Sequence, residues 1–568
     1  MALAVVVLLC WLAFFHGLGG LGLTDKTEAL FVEVAREMLQ RGDAITPWWN
    51  GERFFDYPVW GYWMVAGSLH LFGTTEWAAR LPVALAASSV VVAAFGLLLV
   101  WPAAAEPSSH RLGRALLAAG VLATTPGWIG WGRFATTDMF LSSAITLALF
   151  SFLLAHRCSD RPLAAPLGRV GLALFSAIAV LAKGPVGVVL PALVIAVFLS
   201  LTGQWRRWWQ PGPLLAMAAL FAAVALPWYA AATRVNGEAF LWGFLGFSNV
   251  QRFTSVLYDH PGPPWFYLPW LLLLLLPWSL ALPAAIAAVP AWRPGQWRRA
   301  AIAPELELPL FLLVWLLVIV ALFSAAATKL PGYILPAVPA ASLLVALWWR
   351  PLPPLPTPAG APLLASGVAQ ALLLTLLTVA AALAPRWAAT DPTHPGFQAA
   401  LQASGLPLTL TLLLALSAAA TLLLLRPSLR GWLWLPNLAG FLAILALVVA
   451  PLAPLVDRER QLPIRELARL ARDAARPAEP LWVIGTKRYS VLFYGGETAV
   501  FLSGRRRIDS RLQSQPERLG LTAASASVRL LGDRRDLEAL GFAAERVQRL
   551  ARRGEQQLWR LRREDLRS

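Results

Sequence analysis

The feature that most constrains this chain is a succession of apolar runs, each about as long as a bilayer is thick, joined by short segments in which arginine recurs. A helix needs about 20 predominantly apolar residues to cross the hydrocarbon core. Runs of that kind fall near 3–23, 79–102, 113–130, 136–155, 168–183, 185–202, 211–231, 266–290, 307–327, 331–349, 362–384, 406–425 and 431–455. They predict an α-helical polytopic membrane protein with about 13 transmembrane helices. Composition agrees: 58% of the 568 residues are hydrophobic and only 14% charged, against about 45–50% and about 25% in an ordinary globular chain. A soluble multidomain enzyme is thereby excluded, and 27 Trp with 26 Phe exclude disorder. The opening run lacks a basic segment before it and reads as a retained span, not a cleaved leader. The two cysteines, Cys10 and Cys158, lie on different elements without metal-ligand spacing, so neither a disulfide framework nor a zinc site is readable.

Basic residues in short loops orient the spans, because cytoplasmic loops retain Lys and Arg. With the N-terminus inside, the inner loops hold Arg111, Arg114, Arg157, Arg161, Arg169, Arg206, Arg207, Arg293, Arg298, Arg299, Arg350, Arg426 and Arg430. The short outer connections hold little more than Arg133, Lys183, Lys329 and Arg386. An odd number of spans then carries the polar tail outside. That tail, 457–568, contains 24 basic and 15 acidic residues and supplies +9 of the net +17. LWVIG at 481–485 reads as a buried strand, SVRLL with GDRRDLEALG as strand then helix, and 463–475 as a preceding helix. The expected organisation is a transmembrane module over 1–456, with long outer loops at 24–78 and 232–265, and a small extracytoplasmic α/β domain over 457–568. Its positive charge suits a solvated, lipid-facing surface better than a nucleic-acid site.

Loops of that length usually carry function. In the first, DKTEALFVEVAREMLQRGD has apolar residues at helical spacing with charges opposite and is expected to lie flat at the interface. GYWMVAGSLHLFG at 61–73 is too short to cross and is expected to be interfacial or re-entrant. No internal repeat is evident, which weighs against a transporter built from symmetric halves.

The residues costly to place at a membrane collect on the outer side: Asp25, Glu28 and Asp56 in the first loop, Asp138 at a span end, Lys183 in LAKGPVGVVLP, Lys329 and Tyr333 in TKLPGYILP, and Arg252 and His260 in the second loop. Each has a bland reading. Asp138 could pair with Arg133, the lysines could be snorkelling anchors, and Glu28 could be an ordinary surface charge. The scattered histidines make poor metal ligands, and the many Trp residues suit the interfacial belt. Yet anchors do not require the Pro and Gly turns that set Lys183 and Lys329. Carboxylates beside cations at the mouth of an apolar chamber suit one kind of chemistry, in which a carboxylate takes a proton from, or orients, an acceptor hydroxyl while cations hold a phosphate leaving group.

Taken in order, D-x-x-E at Asp25 and Glu28, AREMLQRGD, FFDYPVWGYW and LFGTTEWAARLP resemble the first outer loop of a known group. It is the aminoarabinose transferase and protein O-mannosyltransferase group of polyprenyl-phosphate-dependent, GT-C-type membrane glycosyltransferases. TTDMF, LAKGPVGVVLP, ALPWY, FSNVQRF, HPGPPWFYLPW and TKLPGYILPAVPA continue the resemblance over most of 20–345. YSVLFYGGETAV makes the C-terminal third more similar to the aminoarabinose branch. The resemblance implies inverting transfer of a sugar from an undecaprenyl- or dolichyl-type phosphate to an envelope lipid such as lipid A, a glycan or a protein. Asp25 would be the base or acceptor-orienting carboxylate and Asp138 a second carboxylate. Lys183, Arg252 and Lys329 would contact the phosphate or lipid head, with Tyr333, His260, Glu28, Asp56 and Tyr57 lining the substrate site. No cofactor is required by the sequence; a divalent cation is compatible with it, but no ligand set demands one. The chain departs from the group where Glu-Lys-Pro-Pro is usual, reading Asp56-Tyr57-Pro58-Val59. Tyr57 donates a hydrogen bond but carries no charge. Two other readings stay open: a flippase or transporter of lipid-linked glycans, and a non-catalytic scaffold of envelope assembly.

Overall fold

A computed structural model describes residues 1–101, 106–157, 163–244, 246, 261–289, 303–353, 355, 357–387 and 396–567. Arg252, His260 and the FSNVQRF segment lie outside the described residues, as do Arg161, Arg293, Arg298 and Arg299. Among the described residues, nine helices are long and apolar enough to cross a membrane: Glu76–Val100, Thr137–Arg157, Ala164–Lys183, Pro211–Phe244, Glu305–Ala325, Pro331–Trp349, Gly360–Ala384, Leu406–Leu424 and Arg430–Asp473. The remaining expected runs are helical but do not meet that length. The run near 266–290 is split into Tyr267–Leu274 and Trp278–Ala287, bent by 115°. That near 113–130 divides into Ser108–Ala123 and Pro126–Gly132, and Ala2–Phe15 and Val186–Thr202 are short. A 17-residue helix rises only about 25 Å, less than the roughly 30 Å of a hydrocarbon core. Thirteen full-length spans are therefore not established, although the chain is a multi-pass helical membrane protein.

Within lipid, helices associate through close packing of small residues, not through apolar burial. Thr137–Arg157 and Ala164–Lys183 illustrate this, since a Cβ on Gly168 would come within 2.6 Å of Ala155 N and Ser151 O. This antiparallel pair matters for function. It brings the start of one helix, at Asp138, to the end of the next, at Lys183.

The first loop folds as two helices, Thr27–Arg41 and Trp60–Phe72, joined through a hairpin of β1 (Trp48–Trp49) and β2 (Glu52–Arg53). Asn50 and Gly51 at the turn both have positive φ, 54° and 82°, the Asn-Gly signature of a tight hairpin. Trp60–Phe72 has the short length expected of an interfacial element. The flanking helix differs from expectation: its charged face is covered, with Glu33, Arg36 and Glu37 all buried. Arg36 forms two hydrogen bonds to Glu33, 2.7 and 2.6 Å, and Glu37 accepts from Arg41 and from Gly51 N. Their cover is the C-terminal region, where Gly496 approaches Arg36.

That region is a five-stranded sheet in the order β4-β3-β5-β7-β6. It comprises β3 (Leu481–Ile484), β4 (Ala499–Leu502), β5 (Ser527–Asp533), β6 (Val547–Arg553) and β7 (Gln556–Arg562). The strands β4, β3 and β5 are parallel, and β5, β7 and β6 antiparallel. The long helix Arg430–Asp473 leads into it, continuing through 457 without a break. The sheet meets the first loop at its β4 edge, where Asn50 pairs with both backbone groups of Ala499 at 2.9 Å. An edge strand that would otherwise present unpaired amides is thus covered.

Candidate active site

Asp138 and Lys183 form an ion pair at the helix ends just described, their side chains 21% and 11% exposed. Each charge also suits its terminus, a carboxylate at a helix start and an ammonium at a helix end. Lys183 Nζ lies 5.2 Å from the Tyr333 ring centroid and 5.8 Å from that of Tyr57. Position 57, where the lysine of the resembled group is missing, is therefore faced by a lysine from another helix. The KLPGY turn closes the cluster: a Cβ on Gly332 would stand 3.1 Å from Asp138 Oδ2 and from Trp131 Nε1. Only glycine permits that approach without displacing the carboxylate.

Asp25 lies in a segment pinned residue by residue. Gly22 N donates to Asp457 at 2.6 Å, Leu23 N to the Tyr494 hydroxyl at 2.8 Å, and Thr24 N to Glu28 at 2.9 Å. Asp25 Oδ1 accepts from Ser490 N at 2.9 Å, and Oδ2 lies 3.9 Å from Arg488 Nη1. A side chain at Gly22 would fall within 2.9 Å of Asp457 and 3.1 Å of Tyr494. Tyr494 in turn donates to Glu76 at 3.0 Å, and Glu76 meets Arg465 at 3.1 Å. Such over-determination holds a carboxylate within the narrow tolerance that catalysis demands.

Glu28, expected among the substrate contacts, faces inward. It is 1% exposed and accepts from Arg80 Nε and Nη2 at 2.7 and 2.9 Å, from Thr24 and from Ala135 N. Burial works against its charge, but Arg80 and these hydrogen bonds outweigh it and hold the carboxyl below its ordinary range. Its place is structural: it ties Thr24, beside Asp25, to Ala135, three residues before Asp138. Lys329 is 5% exposed and donates to the carbonyls of Ala326, Ser324 and Phe323 at 2.7, 2.8 and 3.5 Å. Burial lowers its pKa. A Cβ on Gly262, from the HPGPP segment, would touch its Cδ at 2.8 Å, so the second outer loop and the KLPGY turn are neighbours. Asp56 is partly exposed, and its charge, after burial itself, helps raise the pKa of the Tyr62 phenol. Among the described residues, no group of three or more His, Cys, Asp or Glu comes together to hold a metal ion.

The structure thus unites Tyr57, Asp138, Lys183 and Tyr333 in one cluster and places Asp25 in another that the sequence does not foreshadow. Sequence reasoning misses Arg80, Arg488, Asp533 and Tyr494. Arg80 has a signal, being a charge one turn into a long apolar span. For Arg488 and Asp533 the only clue is position, at the carboxyl ends of predicted strands, where open α/β sheets present binding groups.

Known proteins can be set beside this geometry. The profile of the dolichyl-phosphate-mannose-protein mannosyltransferases matches residues 56–230, and that of the C-terminal domain of cyanobacterial RgtA-type glycosyltransferases matches 474–568. An undecaprenyl phosphate-alpha-4-amino-4-deoxy-L-arabinose arabinosyl transferase of Pectobacterium atrosepticum is 32% identical over 353 residues, covering 62% of this chain and 59% of that protein. Its counterpart in Pseudomonas aeruginosa is 33% identical over 328 residues, covering 57% and 55%. The matched part spans less than two thirds of these relatives' length. The fold is similar over nearly the whole chain to ArnT from Cupriavidus metallidurans bound to undecaprenyl phosphate, with TM-score 0.76, 22% identity and coverage of 98% and 97%. The oligosaccharyltransferase AglB of Archaeoglobus fulgidus gives TM-score 0.50 at 12% identity, covering 96% and 71%. The group suggested by the ordered motifs is the one these likenesses return: lipid-phosphate-dependent membrane glycosyltransferases of the GT-C fold.

Proposed function

We propose that this chain is an inverting glycosyltransferase that moves a sugar from a polyprenyl-phosphate carrier to an envelope acceptor. The acceptor would be a lipid, a glycan or a protein, at the extracytoplasmic face of the cell membrane. The observation that carries this reading is the partly exposed Asp138–Lys183 pair at two helix ends, with a second partly exposed carboxylate, Asp25, in the segment that Glu28 ties to the stretch of chain before Asp138. The relatives' names supply the carrier, undecaprenyl phosphate, and a first sugar to try, 4-amino-4-deoxy-L-arabinose. The arginine distribution supplies the side of the membrane. The region 457–568 acts as a domain that covers the first loop.

In the transfer, the acceptor hydroxyl attacks the anomeric carbon as Asp25 takes its proton. The anomeric carbon–oxygen bond breaks, and its electron pair leaves on the carrier phosphate. Lys183 has three N–H groups, of which Asp138 takes one, so it retains donors for the developing phosphate charge. Arg252 is the further cation assigned to that phosphate; Lys329, whose N–H groups are engaged by backbone carbonyls, would contribute through its charge alone, and Tyr57 and Tyr333 line the approach. A phosphate is already a good leaving group, so proton removal and charge stabilisation suffice. Ionisable groups at helix ends, not at mid-bilayer, are not the placement used by secondary transporters.

The deciding experiment is a mass-spectrometric comparison of envelope lipids and glycans from cells carrying the wild-type chain or Asp25→Asn. The variant is expected to accumulate a polyprenyl-phosphate sugar and to lack one glycoconjugate. An unchanged profile, with the variant protein present in the membrane, would remove Asp25 from the chemistry.

A further inference from the structure

The C-terminal sheet points two charged groups at the first loop that the reaction outlined above does not use. Arg488 follows β3, and Asp533 ends the adjacent parallel strand β5. Arg488 Nη2 donates to both Asp533 oxygens, at 3.1 and 3.3 Å, while its Nη1 stands 3.9 Å from Asp25 Oδ2. That separation is an ion pair without a formed hydrogen bond. Asp25 Oδ1 is meanwhile occupied by Ser490 N at 2.9 Å. Arg488, Asp25 and Asp533 are all sheltered, at 15%, 17% and 15% side-chain exposure, so their mutual charges are only partly screened.

We propose that Arg488 is a positioning residue for the transfer: shared between Asp25 and Asp533, it sets the aim of the Asp25 carboxylate, so that the C-terminal domain completes the catalytic centre. The inference rests on the proposed transfer reaction and deepens it. The arrangement has a specific logic. A cation close to Asp25 attracts its carboxylate and restrains the direction in which it points. A guanidinium that closed fully on Asp25 would occupy both oxygens and leave nothing for an acceptor hydroxyl. Asp533 prevents that closure by holding Nη2, and Gln556, which donates to Asp533, holds Asp533 in place. Oδ2 therefore keeps its cation at a distance and its lone pairs open. The charged groups that bear on Arg488 are Asp25 and Asp533, with Asp536 nearby on the short helix Arg534–Glu538 after β5.

The test uses the full chain in detergent and two readouts. The first is independent of the donor: the rate at which Asp25 is modified by a water-soluble carbodiimide at one fixed pH, read by peptide mass spectrometry. This reagent reports how freely the Asp25 oxygens can be reached. Arg488→Gln, which keeps a hydrogen-bonding end but no charge, is expected to raise that rate several-fold, because the carboxylate is no longer held. Arg488→Lys, which keeps the charge and loses the fork, should label as wild type. Asp533→Asn should slow labelling, because the released guanidinium moves onto Asp25. A wild-type rate in Arg488→Gln overturns the proposal, as does faster labelling in Arg488→Lys equal to that in Arg488→Gln, the mark of mere loosening. Should Arg488→Gln fail to fold, an unchanged rate in Asp533→Asn overturns it equally.

The second readout is release of undecaprenyl phosphate from undecaprenyl-phosphate aminoarabinose, with an envelope-lipid extract as acceptor. Arg488→Gln is expected to lower kcat about tenfold with donor KM unchanged, and Arg488→Lys to restore most of it. An unchanged kcat in Arg488→Gln overturns the proposal. A wild-type chain silent in this assay would count against the sugar or the reaction, while the labelling arm still decides the role of Arg488.

Discussion

Two of the spanning helices carry polar, titratable groups near both ends, and the ends are built differently. Glu76–Val100 begins near Arg80, which clasps Glu28, and ends near Glu106. Thr137–Arg157 begins at Asp138 and ends at His156. At the far ends, among the described residues, the carboxylates Glu106 and Glu307 are buried and met by partners inside the protein. The Glu106 side chain is fully buried and takes Arg114, His110 at 2.7 Å and Arg111 at 3.6 Å. His156 accepts from Trp208 Nε1 at 2.8 Å, which assigns its other nitrogen to donate to Glu307 at 3.0 Å. At the near ends, Glu28 with Arg80 is equally saturated, but Asp25 and Asp138 keep both exposure and unfilled acceptor capacity. Saturated carboxylates hold helices and loops in register, and the unsaturated ones are left for a substrate.

Several measurements would break that contrast or sharpen it. Asp138→Asn is expected to lower kcat by about a thousandfold, with a smaller fall in unfolding temperature than Glu106→Gln because its pair with Lys183 is partly exposed; full turnover would move Asp138 among the structural pairs. Glu106→Gln should show the reverse signature. Removing one partner of a buried pair leaves the other charge uncompensated, a cost of about 3 kcal/mol in detergent unfolding. Turnover per folded molecule should stay as in wild type, and a lost turnover would dissolve the distinction between the two ends. Lys329→Ala should weaken donor binding about tenfold while sparing kcat, read by titrating undecaprenyl phosphate.

Acid should separate the ends of the contrast more gently. The Glu28 carboxyl is held below its ordinary value of 4.5 in the folded protein, and Glu479, held by Arg560 and Ser527 against the effect of burial, likewise. The unfolded chain therefore takes up protons first as pH falls. The stability these groups contribute is complete above about pH 4.5 and is lost as pH drops through their folded values. Unfolding temperature should fall below pH 4.5, and less steeply in Glu28→Gln. The smallest effect belongs to the surface: Asp509→Asn, which breaks an i,i+4 pair with Arg505 at 2.9 Å, should cost about 0.3 kcal/mol.

Much of this molecule is legible in its sequence because the signals are local. An apolar run declares itself without reference to the rest of the chain, and LWVIG and SVRLL likewise announce β3 and the start of β5. The association of Asp138 with Lys183 is partly legible, since helix ends on one side of a membrane are few and must be neighbours. The charged face of Thr27–Arg41 reads as solvated because amphipathic periodicity reports which face is polar, not what covers it. Glu28 reads as a surface charge for the same reason. Its partner, Arg80, lies 52 residues away.

By itself the sequence determined the class of solvent, the helical runs and the order of motifs that marks the group. These follow from transfer energies and from the 3.6-residue period, both of which act along the chain. Tertiary structure decided which carboxylates are spent and which are left open. Asp25 is set by Ser490 and Arg488, more than 460 residues away, and such a pairing depends on how helices and sheet dock in three dimensions, about which neither hydropathy nor spacing carries information.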